Sequence, residues 1–341
     1  MHITLVDDSI PFDGYTASSR PLGGAEKAFA SLAGALARRG HDVAVFNRCR
    51  WSIAIEGVRW DNLDGHKPLA TDLLVAFRKP RLLEFLRQAR RRVLWHTGPG
   101  RLLDGKAARA LIDDHDPLVL LVSAAQAAGF GAKGVAVGML PPAVRGDFLA
   151  DAPPRATTPP HAIVTTHPSH GLDWLVDLWI SRIRPAVPQA ELHLYSMSLA
   201  TAAEGGEVAP GLAPLAEKIL AAGAHGIVVV RPQGDRLMAD AFRQARVHLY
   251  PGDSDDVTAF TLMESQAAGV PAVVRPLGAA PERIADGRSG MVAPDDDAFA
   301  NLAILLLTND EVERAQSAEA RALYRDRSWD AAAAYFEAMV Q

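Results

Sequence analysis

Apolar positions along this chain form two series of short runs alternating with longer periodic stretches, separated by a break rich in proline. In the first series, residues 2–6 are a short apolar run closing on Asp7 and Asp8, the pattern of a buried strand. The stretch AEKAFASLAGALARRG places apolar residues at helical spacing and stops at Gly40. Strands are expected again at 42–46, 72–77, 93–95, 118–122 and 135–140, with Ser123 capping a helix. Between 80 and 92, Leu82, Leu83, Phe85 and Leu86 lie among seven basic residues (Arg78, Lys79, Arg81, Arg87 and Arg90 to Arg92), which predicts a basic amphipathic helix. Strand–helix alternation of this kind predicts a doubly wound parallel sheet.

Residues 141–160 carry six prolines in twenty positions and support neither a helix nor a central strand. The domain boundary is placed there, with domains at 1–150 and 151–328. The second series has strands at 162–166, 191–195, 226–230, 247–250 and 270–274. Helices are expected at 172–184, 212–222, 236–244, from Thr261 to Gly269, and at 297–307, 310–325 and 329–340. The fold class expected is α/β: two Rossmann-like doubly wound domains facing across a cleft, where such sheets bind ligands.

Composition narrows the function classes. A net charge of −5 with 22% charged residues argues against a general nucleic-acid binder. One cysteine, Cys49, excludes an intramolecular disulfide and a cysteine-built zinc site. The start MHITLVDDSI lacks a basic and apolar leader, and no apolar run reaches the roughly 20 residues of a membrane span. A cytoplasmic protein is expected. The basic segment 78–92 leaves two readings open: peripheral contact with the inner face of a membrane, or a solvated helix face.

The candidate chemistry centres on YPGDSDDVTAFTLMESQAAGVPAVVRPLGAAPERIADGRSGMVAP, residues 250–294. Here a loop delivers backbone N–H groups into a helix start, which suits an anion, and Glu264 lies one turn further in. Asp256 precedes it in the loop. A second candidate is the pair Gly23–Gly24 after the first strand, where a backbone without side chains lets a phosphate or sugar approach. No G-x-G-x-x-G is present, which disfavours a nicotinamide dinucleotide. His96, in VLWHTGPG, is a third candidate: on such a turn it exchanges a proton or bonds a hydroxyl near neutral pH, or holds a loop carbonyl.

These segments resemble the retaining glycosyltransferases of the GT-B fold, family 4. That family carries an E-x7-E motif followed by an A-x-G-x-P run. Asp256 and Glu264 stand at its two acids, before SQAAGVPAVV. LGAAPERIADGRSGMV matches the turn and the D-G-x-x-G element that follow, with Glu282 and Gly290 in place. PLGGAEKAFASLAGALARRGHDVAVF resembles its glycine-rich loop and helix, VLWHTGPG its active-site histidine segment, and RSWDAAAAYFEAMV the terminal helix (329–341) that returns to the first domain.

The resemblance implies transfer of a sugar from a UDP- or GDP-linked donor to a saccharide or lipid-linked acceptor hydroxyl, with retention and without a metal or other cofactor. It implies Glu264 on the donor ribose, Asp256 on the donor sugar, and the amides of Ala259, Phe260, Thr261 and Leu262 on the diphosphate. Gly24, beside Gly23, would meet the diphosphate from the first domain. His96 would contact the sugar or reacting oxygens, and Arg231 with Pro232 the base. The sequence departs from the family where an arginine and a lysine normally neutralise the diphosphate: Thr165 and His170 stand there, in VTTHPSHGLDWL. His167 or Arg20 would then supply charge. The alternative is a sugar-nucleotide-binding protein with weak or no transferase activity.

Overall fold

In the computed structural model, which describes residues 1–131, 133–150, 152 and 157–341, the chain divides into two units: residues 1–143 with 327–341, and residues 144–326. Within the proline-rich break, residues 151 and 153–156 lie outside the described residues, so the boundary expected between 150 and 151 touches them.

The first unit is built on eight strands: β1 (His2–Val6), β2 (Asp42–Asn47), β3 (Ile53–Ile55), β4 (Val58–Asn62), β5 (Ala70–Phe77), β6 (Gln88–Trp95), β7 (Leu118–Leu121) and β8 (Val137–Met139). Their order is β3-β4-β2-β1-β5-β6-β7-β8, and every pair is parallel except the β3–β4 hairpin. Leu5, Val6, Val45, Phe46, Val75 and Ala76 are all buried, as in a parallel sheet covered on both faces. The Gly24–Arg38 helix is rich in Ala and Gly, and the C-terminal helix Trp329–Val340 packs against it. Ion pairs fix the contact, Arg38 to Asp330 at 2.7 Å and Arg39 to Glu337 at 2.6 Å, and the His41 ring hydrogen-bonds Glu337 at 2.8 Å. Trp329 also lies against Trp95, with ring centroids 6.3 Å apart.

The basic helix expected over 80–92 does not form. Pro80–Glu84 makes one 3-10 turn, and Gln88–Trp95 is a strand paired with β5 from Ala70↔Gln88 to Phe77↔Trp95. The long β5 requires a partner of its own length, and this tertiary demand overrides a helical period only one turn long. Several of the basic side chains are engaged within the unit. Arg92 donates to the carbonyls of Leu83, Leu86, Arg87 and Ala89, and Arg91 to that of Val340. The amphipathic helix on which both readings of 78–92 rested, membrane contact or a solvated face, is therefore absent. Among the described residues, no helix is long and apolar enough to cross a membrane.

The second unit has six parallel strands: β9 (His161–Val164), β10 (Glu191–Tyr195), β11 (Ile227–Val230), β12 (Val247–Tyr250), β13 (Ala272–Val274) and β14 (Gly290–Val292), ordered β11-β10-β9-β12-β13-β14. Trp179, Leu175, Phe299 and Leu306 fill one layer of its core, Phe148, Phe242, Ala239 and Met263 another. The helix Met197–Ala203 and the β3–β4 hairpin are elements the sequence pattern did not announce. Strand order reverses between β1 and β5 in the first unit and between β9 and β12 in the second. The carboxyl ends of those strands are the ligand-binding positions of doubly wound sheets.

Phe336 is fully buried in the terminal helix. Phe336→Ala is expected to cost about 3–4 kcal/mol through the cavity it leaves, read as a lower urea midpoint; an unchanged midpoint would show that the terminal helix contributes nothing to the first unit.

Candidate functional site

At the reversal point of the second unit, three loops leave neighbouring strands: 165–171 after β9, 251–259 after β12 and 275–279 after β13. Asp256 holds the second of these together. Its Oδ1 accepts from the Ala259 N–H (2.9 Å), the Thr258 N–H (3.3 Å) and the Thr258 hydroxyl (3.2 Å), while Oδ2 accepts from the buried Tyr250 hydroxyl. Burial and the Asp256 charge push the Tyr250 phenol well above its ordinary pKa, so it stays a donor. The Asp256 carbonyl takes the Ala279 N–H at 2.9 Å, which ties the third loop to the second. Gly278 makes that approach possible. Its φ is +55°, and a side chain there would collide with the Asp256 carbonyl and come within 2.5 Å of that of Asp253.

The loop ends at Ala259, in the left-handed region at φ +49°, and the helix Phe260–Ala267 begins. An alanine cap offers no side-chain oxygen. Among the described residues no acceptor takes the N–H of Phe260, Thr261 or Leu262, so three amides are left at a positive helix end. Glu264 is buried one turn in, at 9% exposure.

Behind this helix a hydrogen-bond relay reaches Thr165. Ser265 donates its single hydroxyl proton to the Leu262 carbonyl (2.9 Å), so the proton in its 2.7 Å contact with His248 comes from Nδ1. Complete burial pulls His248 down to about pKa 3 and keeps it neutral, which leaves Nε2 to accept from the Thr165 hydroxyl at 3.2 Å. The hydroxyl proton of Thr165 is thus directed into the protein.

The turn from Thr165 to Gly171 carries His167 and His170, with ring centroids 5.6 Å apart. Burial, reinforced by His170, lowers the pKa of His167. A side chain on Gly171, at φ +76°, would meet Pro251, the Gly252 carbonyl and the Arg275 guanidinium, and Arg275 stacks on Trp174 at 4.5 Å. Arg231 and Pro232 follow β11 as expected. The Arg231 guanidinium is held by Glu204, with Nη2 to Oε2 at 2.6 Å, beyond the unanticipated Met197–Ala203 helix.

The first unit gathers its charges at its own reversal point. Asp8 pairs with Lys79 at 2.6 Å and with Arg81; burial alone would raise its pKa, but those bonds outweigh it and hold the carboxyl low. Asp7, fully buried, accepts from Ser9, and burial raises its pKa. Arg78, in the left-handed region at φ +66°, reaches Glu26 at 2.7 Å. The Glu26 carboxylate folds back over Gly23, occupying the space a side chain there would need, beside Gly24 at the start of the helix. His96 is 5% exposed. Its Nδ1 is 2.8 Å from the Arg78 carbonyl and its Nε2 3.3 Å from that of Pro99. Burial lowers its pKa, so the neutral ring has one N–H, given to the shorter contact, and Nε2 remains an acceptor.

The structure therefore brings Thr165, His170, Asp256, Ala259, Phe260, Thr261, Leu262 and Glu264 to one sheet end, and Gly23, Gly24 and His96 to the other unit's equivalent. Arg275, Tyr250, His248, Glu26 and Arg78 were missed by the sequence reading. Only Arg275 carried a local signal, as a charged residue directly after a wholly apolar strand. Among the described residues, no group of three or more His, Cys, Asp or Glu is placed to hold a metal.

Because the folded pKa of His248 lies below the ordinary 6.5, its contribution to stability is complete above about pH 6.5 and is lost as pH falls, by roughly 3 kcal/mol at pH 4. His161, lowered to about 4 by burial and by the stacked His193, acts in the same direction. Urea unfolding between pH 7 and 4 should show this acid limb. In His248→Asn the protein should be less stable at pH 7 with a shallower limb; an unchanged slope would reject the buried neutral imidazole. Gly278→Ala should disorder the 251–259 loop and cost more than about 1 kcal/mol, checked by thermal melting and by limited proteolysis within the loop.

Residues 162–309 match the protein-family model described as glycosyl transferases group 1. No curated protein matches the chain by sequence. Among solved structures, sucrose-phosphate synthase from Thermosynechococcus elongatus aligns with a TM-score of 0.74 at 14% identity, covering 99% of this chain and 98% of that one. WaaG, a glycosyltransferase involved in lipopolysaccharide biosynthesis, aligns at 0.70 and 15% identity, covering 99% of each chain. HepE from Anabaena, in complex with UDP and glucose, aligns at 0.71 and 13% identity over 100% of this chain and 99% of its own. The chain thus has the GT-B fold of two Rossmann-like units, and the glycosyl transferases group 1 match lies in the second.

Proposed function

We propose that the protein is a retaining, metal-independent glycosyltransferase that moves a sugar from a nucleotide-diphospho-sugar to a saccharide or lipid-linked acceptor hydroxyl. One observation carries the reading. The group 1 match spans the uncapped start of the Phe260–Ala267 helix, with Glu264 one turn inside it. The amides of Phe260, Thr261 and Leu262 would receive the donor diphosphate, and Glu264 would accept hydrogen bonds from the ribose hydroxyls. Asp256 uses Oδ1 for its own loop and keeps a lone pair on Oδ2 for a donor-sugar hydroxyl. Pro232, with Arg231 drawn aside by Glu204, would flank the base. HepE, solved with UDP and with UDP-glucose, supports UDP as the first base to test.

In the transfer, the bond between the anomeric carbon and the diphosphate oxygen breaks, and the acceptor oxygen bonds the same face. The leaving phosphate oxygen takes the acceptor proton. The protein's work in this route is orientation and the stabilisation of charge on the diphosphate.

A second reading, a nucleotide-sugar-binding protein without turnover, is favoured by one feature: the Thr165 proton points to His248, not outward. A radiolabelled UDP- and GDP-sugar pool separates the two, because labelled product or released sugar appears only with the transferase. Glu264→Ala should weaken UDP or GDP binding by ~10- to 100-fold in calorimetry, with Glu264→Gln intermediate. Unchanged affinity in both variants would reject the site.

A further inference from the structure

We propose that Arg275 is the cation that binds the donor diphosphate, with its guanidinium held ready on the face of Trp174; this rests on the nucleotide-sugar reading above. A diphosphate drawn to the amides of Phe260, Thr261 and Leu262 brings more negative charge than a helix end of about half a charge can balance. A full cation is needed within the same group of loops.

The described residues at this sheet end supply few. Thr165 carries no charge, and its hydroxyl proton is engaged by His248. His167 is lowered by burial and by its neighbour His170, which favours the neutral ring. Arg231 is paired with Glu204 through two contacts, 2.6 and 3.3 Å. Arg283 is buried and gives its Nε–H to the Thr258 carbonyl at 3.0 Å, inside the loop. Lys218 is taken by Asp173 and Asp177.

Arg275 differs from all of these. It is partly exposed, and among the described residues no carboxylate forms an ion pair with it. Its partner is the Trp174 ring, 4.5 Å from the guanidinium carbon. Stacking of this kind fixes the plane of the group while leaving its N–H edge for a second partner. Its position is where the three loops meet. The Arg275 N–H reaches the Tyr250 carbonyl at 3.4 Å, its carbonyl receives the Leu277 N–H at 2.8 Å, and a side chain on Gly171 would lie 3.6 Å from its Nη1. A side chain on Gly171 would likewise meet Pro251 and the Gly252 carbonyl, at the start of the loop that ends at the free amides. A planar guanidinium offers paired N–H groups that match two phosphate oxygens, which a histidine at 170 does not.

The test is calorimetry of the full chain with UDP, GDP, uridine, guanosine and inorganic pyrophosphate. Arg275→Gln should weaken the nucleoside diphosphate that binds by ~10- to 100-fold, leave its nucleoside unchanged, and reduce the salt dependence of binding. Arg275→Lys should recover part of the loss, since it restores charge but not the paired edge. Melting temperatures of both variants should stay near that of the wild type, because the residue is partly exposed. If Glu264→Ala loses nucleoside diphosphate while Arg275→Gln binds it as the wild type does, the Arg275 assignment falls and the nucleotide-sugar reading stands. If the wild type binds neither nucleoside diphosphate nor pyrophosphate, both fall.

Discussion

The arrangement of the loops at the second unit's sheet end depends on one carboxylate. Asp256 accepts from the N–H groups of Thr258 and Ala259, from the Thr258 hydroxyl and from Tyr250, and its carbonyl ties down Ala279. An aspartate reaches these donors because its short side chain folds onto the backbone two and three residues ahead. The result is that Ala259 is held in a left-handed conformation an alanine seldom adopts, and the helix after it begins with its amides unclaimed. One loop geometry therefore links the strain at Ala259, the glycine requirement at 278 and the positive helix end.

Electrostatics follow the same economy in both units. Basic residues near the sheet ends are mostly committed: Arg78 to Glu26, Lys79 and Arg81 to Asp8, Arg231 to Glu204. The buried histidines are kept neutral by desolvation, and His248 sets the direction of a neighbouring hydroxyl instead of carrying charge. His96 has the same character, with a ring set between two backbone carbonyls. A histidine in such a place acts through which nitrogen bears its proton.

Much of this was legible in the sequence. The short apolar runs ending in polar or glycine residues located nearly every strand of both sheets, and the segment 250–294 announced its loop, helix and strand in order. Segment 80–92 misled because Leu82, Leu83, Phe85 and Leu86 satisfy a helical period for one turn, whereas β5 dictates the rest. The β3–β4 hairpin escaped because its three-residue strand is too short to show alternation. What no local pattern could give was partnership: that Glu26 would fold over Gly23, that Thr165 would give its proton to a residue 83 positions away, or that Arg275 would rest on Trp174.

The division of the chain has a consequence for how it is made. Residues 144–326 form the second unit, while the first needs both 1–143 and 327–341. A ribosome therefore completes the second unit before the first, although it begins with the first. Until residues 327–341 emerge, the Gly24–Arg38 helix lacks the Trp329–Val340 helix that packs on it and the Glu337 anchor of Arg39. The amino-terminal sheet must wait, partly uncovered, for residues 327–341.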